Sequence, residues 1–414
     1  MTNKKFGLLL LTILLIATIF LVFLAGCGSK SEKSEIPSVE IKSEHIYEDG
    51  ICTVCGYEAS VWDGEAAFDF ASGKGTKEDP YLITNAQELA FFAQTSGNVN
   101  YTGKYILLAN NIDCNGKEWT PIGSRKSFSG HFDGAGHTIS SFKITLSNSS
   151  VGFFASVSGS LQNLKIDNFF IGYDIDDNSL WGSSSAAYCG GLAGFLSGTI
   201  SNCAVTNGRI YITNSMGFMY VGGAVGQMGA NTLVNIMTDI DIYCETYGDA
   251  GNQFYGGIVG MMPDGPESRL SHCFSAGKLE LKTADPGNHQ CLAGLVGQVA
   301  TKGEVCDSAT SCSLIVSGTE GNKDNINVGI AVADFGKYGE IRSCYAPEKQ
   351  ILQKFSRDLT FDQVIDRAYV EQRSEEGLKA ELNRLFDGNI WDLSGDIPLL
   401  KQFDWVSHSS LGSI

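Results

Sequence analysis

The sequence predicts an all-β fold: a right-handed parallel β-helix with a short N-terminal helix and a partly helical C-terminal cap. Three observations predict it. First, Gly190-Gly191-Leu192-Ala193-Gly194 recurs as Gly222-Gly223-Ala224-Val225-Gly226, Gly256-Gly257-Ile258-Val259-Gly260 and Ala293-Gly294-Leu295-Val296-Gly297. Weaker copies stand at Val151–Ala155 and Val328–Val332. Second, each copy is followed by a further block: Asn163-Leu164, Asn202-Cys203, Asn235-Ile236, His272-Cys273, Ser311-Cys312 and Ser343-Cys344. Third, 49 glycines against 8 prolines suit many tight β-turns and no collagen-like period. With Gly152, Gly191, Gly223, Gly257, Gly294 and Gly329 as markers, the steps are 39, 32, 34, 37 and 35 residues. Unequal steps mean a constant unit carrying loops of variable length.

Short alternating runs such as Arg209–Ile212, Asp239–Ile242 and Lys278–Leu281 close the units, so each unit holds several short strands. Strands that short are not stable alone, and the units must stack. A β-propeller repeats at a similar period, but it needs four strands per blade and a signature that is absent here. One unit per coil places Leu164, Cys203, Ile236, Cys273, Cys312 and Cys344 in one inward column. Leu and Ile in that column mark it as apolar, so its cysteines read as small buried hydrophobes. Cys273→Ser is then expected to cost roughly 1–3 kcal/mol, from a buried hydroxyl with no evident partner. Setting Cys27 aside leaves 11 of the 12 cysteines, an odd number that rules out a complete disulfide framework.

The elements follow in order. Residues 1–26 read as a signal peptide: Lys4-Lys5, the apolar run Phe6–Phe23, then Leu24-Ala25-Gly26 before Cys27. An uncleaved membrane helix could use the same run. Residues 27–44 are Ser/Glu/Lys-rich and read as a flexible tether. In the stub 45–60, Cys52 and Cys55 form a CxxC pair, half of a zinc knuckle, with His45 as a third candidate ligand. A closed zinc site needs four ligands, and the alternatives are a CxxC disulfide or a vestigial knuckle. Residues 61–150 form the N-terminal part and first coils. There Asn85 reads as an N-cap and Glu88 closes a capping box for a helix to about Gln94 that buries Leu89, Phe92 and Ala93. Residues 151–350 are the repeats. Residues 351–414 read as the helical cap, with helices over Thr360–Tyr369 and Glu375–Leu385, suited to cover the open end of the β-helix.

The net charge is −17, and only Lys4 and Lys5 carry charge in residues 1–26, so the chain without them stands at −19. So acidic a surface repels phosphate backbones, which excludes nucleic acid as a partner.

Three segments resemble known families. Leu24-Ala25-Gly26-Cys27 resembles the bacterial lipobox, which implies that Cys27 is lipidated and holds the chain on the outer face of the cell membrane. The CxxC stub resembles those on Gram-positive surface proteins. The Gly-Gly-x-x-Gly units resemble GLUG-motif proteins, as do Trp119-Thr120-Pro121-Ile122-Gly123, Phe132–His137, Trp391 and Pro398–Lys401. Such repeats occur in bacterial surface proteins, including non-catalytic parts of immunoglobulin A-cleaving metallopeptidases. The metallopeptidase motif HExxH itself is absent from this chain.

Several residue groups have the types that catalysis or metal binding would use. Asp239 and Asp241 share one strand face, at a spacing that would suit an inverting carboxylate pair. The competing reading is a charge ladder of Arg209, Asp239 and Lys278 at corresponding positions. Asp133 and His137 read as turn chemistry before a strand. Asp174, Asp176 and Asp177 make an oxygen-rich loop of the kind calcium prefers, without EF-hand spacing, so a solvated acidic loop is the alternative. Nucleophile elbow, Walker loop and dinucleotide fingerprint are absent. Among the aromatics between Tyr211 and Tyr255 the binding candidates are Tyr220, Tyr247 and Tyr255, joined by Trp181 of the acidic loop. The expectation is a non-catalytic surface lipoprotein that binds an extracellular protein or glycan. Its contacts should lie in protruding loops, Phe170–Ala187 and Thr283–Gln290 above all. The alternative is a polysaccharide lyase or glycoside hydrolase on the same scaffold.

Overall fold

The computed structural model describes residues 47–405 apart from 49, 54–57, 146–148, 175–185, 215–216, 230, 247–249, 264–267, 285–288, 320–322, 337–338 and 404. It is an all-β parallel solenoid. Six strands lead into the glycine corners: Ser150–Val151, Ala186–Gly190, Gly217–Gly222, Ala250–Gly256, Gln290–Ala293 and Ile326–Gly329. Six leave them: Phe154–Val157, Ala193–Leu196, Val225–Met228, Val259–Met262, Val296–Val299 and Val332–Phe335. Neighbours in each set pair in parallel, coil upon coil. A 19-stranded sheet, which also takes in the earlier coils, closes the remaining sides.

Strand alternation fills the core. Before each corner Cys189, Val221, Tyr255, Leu292 and Val328 stack inward. In the long sheet the chain bends where Asn163, Asn202, Asn235, His272, Asp307 and Ser343 adopt φ of +50° to +55°. Asn, Asp and His tolerate that left-handed conformation better than most side chains. The asparagines also link up: Asn202 Nδ2 donates to Asn163 Oδ1 at 3.2 Å, and Asn235 Nδ2 to Asn202 Oδ1 at 2.9 Å.

This register corrects two sequence expectations. Asp307-Ser308, not Ser311-Cys312, follows His272-Cys273, because His272 N donates to Asp307 O and Cys273 N to Ser308 Oγ. The inward column is Leu164, Cys203, Ile236, Cys273, Ser308 and Cys344; Cys312 is buried nearby, its Sγ 3.8 Å from Gly294 O. The nine cysteines from Cys114 to Cys344 are free and buried. The charge ladder likewise stands two residues along from the expected partner. Arg209 lies beside Asp241, which lies beside Lys278, while Asp239 sits between Thr206 and Ala276.

Helix α1, Ala86–Ser96, packs Leu89 and Phe92 into the first coils, with Phe92 5.6 Å from Phe128 between ring centroids. Asn85 Oδ1 caps it by accepting from Glu88 N, while Glu88 reaches back to Thr84 N, one residue earlier than expected.

The C-terminal segment departs further from expectation. Thr360–Tyr369 is not a helix; it holds a single 3₁₀ turn, Phe361–Gln363, and leads into the strand Val370–Arg373. The reason is visible at the last corner. In earlier coils the corner amides donate to the next coil, as Gly294 N, Leu295 N and Val296 N do to Ile330 O and Ala331 O. The last corner has no such neighbour, and the buried Asp366 carboxylate accepts from Ile330 N, Ala331 N and Val332 N instead. A continuing helix could not deliver it there.

Helix α2, Glu375–Leu385, forms as predicted and buries Leu378 and Leu382, but not over the open end. With Phe386, Trp391, Leu400 and Phe403 it covers an outward stripe of the long sheet: Ala204, Met237, Phe274, Ala309 and Tyr345. Among the described residues no helix is long and apolar enough to cross a membrane.

Candidate functional site

The glycine corners are closed on their outer side. A Cβ on Gly222 would lie 2.1 Å from Val225 O, and one on Gly260 would lie 2.4 Å from Val221 N. Only glycine lets the strands on either side approach this closely. The outward side chains of the two corner sheets therefore face each other across a groove that runs from coil to coil.

One wall is the outward column of the strands before the corners: Tyr188, Tyr220, Phe254, Cys291 and Asn327. Tyr188 and Tyr220 stack with ring centroids 5.7 Å apart, and Tyr220 and Phe254 at 5.4 Å with planes 5° apart. The facing wall is Ser156, Phe195, Gln227, Met261, Gln298 and Asp334. Phe195 meets Tyr188 across the corner at 5.6 Å. Both tyrosines are half-buried, and burial pushes their phenols above the ordinary range. They keep their protons at neutral pH and, with their faces stacked, present uncharged ring edges and hydroxyls, while Phe254 is buried.

At one end the ladder turns polar. Cys291 takes the next column position, and His289, two residues before it, lies nearly perpendicular to Phe254 with ring centroids 6.1 Å apart. Its Nδ1 is 3.7 Å from Asp334 Oδ2, and its Nε2 is 3.5 Å from Cys291 Sγ and 2.9 Å from Asn327 Nδ2. Gln298 Nε2 donates to Asp334 Oδ2 at 2.6 Å. Burial, aided by the Asp334 charge, pushes the Cys291 thiol well up. Beyond Asn327 lies a pocket of about 390 Å³ lined by Asp324, Lys354, Arg357, Asp358 and Gln363 among others.

Of the sequence-predicted binding residues, Tyr220 lies in this groove. Tyr255 does not: it is 1% exposed, in the inward column, with its hydroxyl donating to Gln253 Oε1. Strand alternation decides this, since Phe254 and Tyr255 must face opposite sides. Trp181, Tyr247, Asp176 and Asp177 lie outside the described residues, as do Cys27, His45 and Cys55. Asp174 ends the strand Phe170–Asp174, and Cys52 ends a two-residue strand paired with Tyr47–Glu48. Asp133 accepts from Ala135 N and from Asn163 Nδ2, and His137 N closes a turn on Gly134 O. Asp241 is exposed and accepts from Lys278 N at 3.2 Å, while burial and the Asp241 charge push the Asp239 carboxyl up.

Sequence reasoning missed the cluster of His289, Cys291 and Asp334. His289 and Cys291 alternate onto one strand face, a readable signal. Asp334 joins them only through the pairing of one coil with the next.

No family model matches the chain. A protein of Evansella cellulosilytica described as "Putative Gly-rich membrane protein" is 32% identical over 152 residues. That match takes in 34% of this chain and 16% of the relative, so the chain spans about a sixth of it. Among solved structures, a "putative immunoglobulin A1 protease" from Bacteroides ovatus superposes with a TM-score of 0.55 at 19% identity. The superposition covers 81% of this chain and 96% of that one. At that identity the likeness concerns the fold.

Proposed function

We propose that the protein is a lipid-anchored surface module of the GLUG-repeat type that binds an extended extracellular glycan along its outer corner groove. The observation that carries this is the half-buried pair Tyr188 and Tyr220, stacked at the coil repeat on the buried Phe254 and facing Gln227 and Gln298. Tyr188 and Tyr220 offer ring edges and hydroxyls along the groove, and side-chain amides across it offer hydrogen bonds to sugar hydroxyls. The net charge of −17 favours a neutral or cationic chain over an acidic one. The lipobox at Cys27 and the membrane-protein name of the Evansella relative support a surface location.

The test is affinity electrophoresis on a panel of neutral, amino-sugar and acidic polysaccharides. Tyr220→Ala should weaken binding about tenfold, the loss of about 1.4 kcal/mol of edge contact and hydroxyl hydrogen bonding. Binding unchanged in a folded Tyr188→Ala/Tyr220→Ala variant would refute the groove. The second reading, a lyase or hydrolase, draws on the convergence of Asp324, Lys354, Arg357 and Asp358 around the neighbouring pocket. Lys354 Nζ, however, already donates to Ile326 O at 2.9 Å. Release of reducing ends or unsaturated products from the same panel would favour that reading.

A further inference from the structure

We infer that His289, Cys291 and Asp334 form a binding site for a single thiophilic divalent cation, zinc in its commonest form, at the polar end of the groove. The ligand atoms of the three residues all lie within 4.8 Å of one another. His289 Nε2 and Cys291 Sγ are already 3.5 Å apart. Bond lengths of about 2.0 Å to nitrogen and 2.3 Å to sulfur, at a tetrahedral angle, require a separation of about 3.5 Å. Asp334, whose Oδ2 lies 3.7 Å from the other ring nitrogen, Nδ1, completes the set by a side-chain shift of about an ångström toward the Nε2 side, the ligand-to-ligand spacing in such sites being about 3.3–3.7 Å.

Packing does not account for this trio. In the preceding coils the column position of Cys291 holds Tyr188, Tyr220 and Phe254, so the corner accepts a ring there. Cys291 also differs from Cys189, Cys203, Cys273 and Cys344, which face the core; it faces the groove, where Phe254, Ala293 and Ala333 cover it. The substitution of thiol for ring coincides with an imidazole two residues before it and a carboxylate on the facing wall. The surroundings also hold the ligands in place, as supporting contacts do in metal sites. Gln298 Nε2 fixes Asp334, and the edge of Phe254 abuts His289. Asn327, whose amide lies 2.9 Å from His289 Nε2, turns its oxygen to the same point when the amide is reversed. The His289 and Asp334 side chains are 33% and 29% exposed, leaving the cation a path from solvent. On binding, the Cys291 thiol gives its proton to solvent, and thiolate plus carboxylate balance the two positive charges.

This inference stands apart from the glycan reading and is tested without a glycan. Full-length protein carrying Cys52→Ser/Cys55→Ser, which removes the stub as a competing site, is titrated with Co²⁺ and then Zn²⁺. One equivalent of cobalt should bind with a thiolate-to-cobalt charge-transfer band, and zinc should displace it. Cys291→Ser should abolish the band. His289→Ala and Asp334→Asn, at partly exposed side chains, should each weaken binding at least tenfold with metal-free melting unchanged. A band that is lost in the Cys52→Ser/Cys55→Ser protein, or that survives Cys291→Ser, overturns the site. Affinity unaltered in folded Asp334→Asn overturns the three-ligand set.

Discussion

Asp366 gives the sharpest test of how the solenoid ends. Its carboxylate accepts from Ile330 N at 2.9 Å through Oδ1, and from Ala331 N at 2.7 Å and Val332 N at 2.9 Å through Oδ2. The side chain is fully buried, so Asp366→Ala strands three donors away from bulk water. Each unsatisfied buried donor costs about 1–3 kcal/mol, and a water entering the vacated space can satisfy one of them. The expected loss is therefore about 3–5 kcal/mol, a large part of the stability of a typical domain. Asp366→Asn separates charge from geometry. Its one carbonyl oxygen, placed where Oδ2 was, keeps Ala331 N and Val332 N but turns an NH₂ toward Ile330 N. It should cost about 1–3 kcal/mol, the penalty of one donor. Urea unfolding measures the totals, and amide hydrogen exchange assigns them. In the alanine variant all three amides should lose protection; in the asparagine variant the loss should centre on Ile330. A loss under 1 kcal/mol in the alanine variant, with the three amides still protected, would show that something other than this carboxylate seals the end.

Burial pushes the thiols of Cys203 and Cys273 up to about 12 and that of Cys312 to about 11, while an unfolded thiol titrates near 9.0. Their protonated form is favoured by folding, so their contribution is intact below pH 9 and falls as pH rises toward 11–12. The three together should cost about 3 kcal/mol between pH 9 and pH 10; urea midpoints that stay flat over that window would contradict their burial. Cys273→Ser should cost under about 1 kcal/mol, less than Cys273→Ala, because the hydroxyl can donate to Ser271 O as the thiol does. Ser308 already makes the equivalent bond to Cys306 O one coil later, and thermal melts that rank alanine as the milder change would refute this. Gly257→Ala would place a Cβ 2.0 Å from Gly294 O and should destabilise by about 2 kcal/mol or more, measured by urea unfolding. Trp391→Phe removes the Nε1 donor to Asn235 Oδ1 and should cost about 1 kcal/mol by the same measurement.

The repeats made the parallel solenoid legible, because a Gly-Gly corner and an inward apolar column are local signals that recur. Register was not. Ser311-Cys312 looks like His272-Cys273 as text, yet Asp307-Ser308 takes the place, since the left-handed bend is met by Asp307 as well as by Asn or His. The ladder at Asp239 has the same origin: Arg209–Ile212 and Asp239–Ile242 look equivalent as text, yet Arg209 pairs with Asp241, two residues along. The covered side face did leave a trace in Ile236-Met237 and Cys273-Phe274. Two adjacent apolar residues in a strand imply burial on both sides. The groove needed three dimensions. Tyr220 and Phe254 stand 34 residues apart and become neighbours only through coil pairing. Asp334 reaches His289 across a corner that sequence marks only as glycine and alanine.

The returning tail changes how the molecule should come apart. Stacked coils touch mainly their immediate neighbours, so a bare solenoid can fray one rung at a time. Here Trp391 bonds to Asn235 across 156 residues, Gln402 to the carbonyl of Asn202 across 200, and Trp405 lies over the ammonium of Lys165 at 4.4 Å. These ties fasten the last segment to early and middle coils at once, like a clasp closed over pages. Peeling any of those coils requires the clasp to open first, which converts a graded unzipping into a shared, all-or-none event. Cutting the chain between Arg373 and Glu375 should restore the graded behaviour, seen as a broadened melting transition.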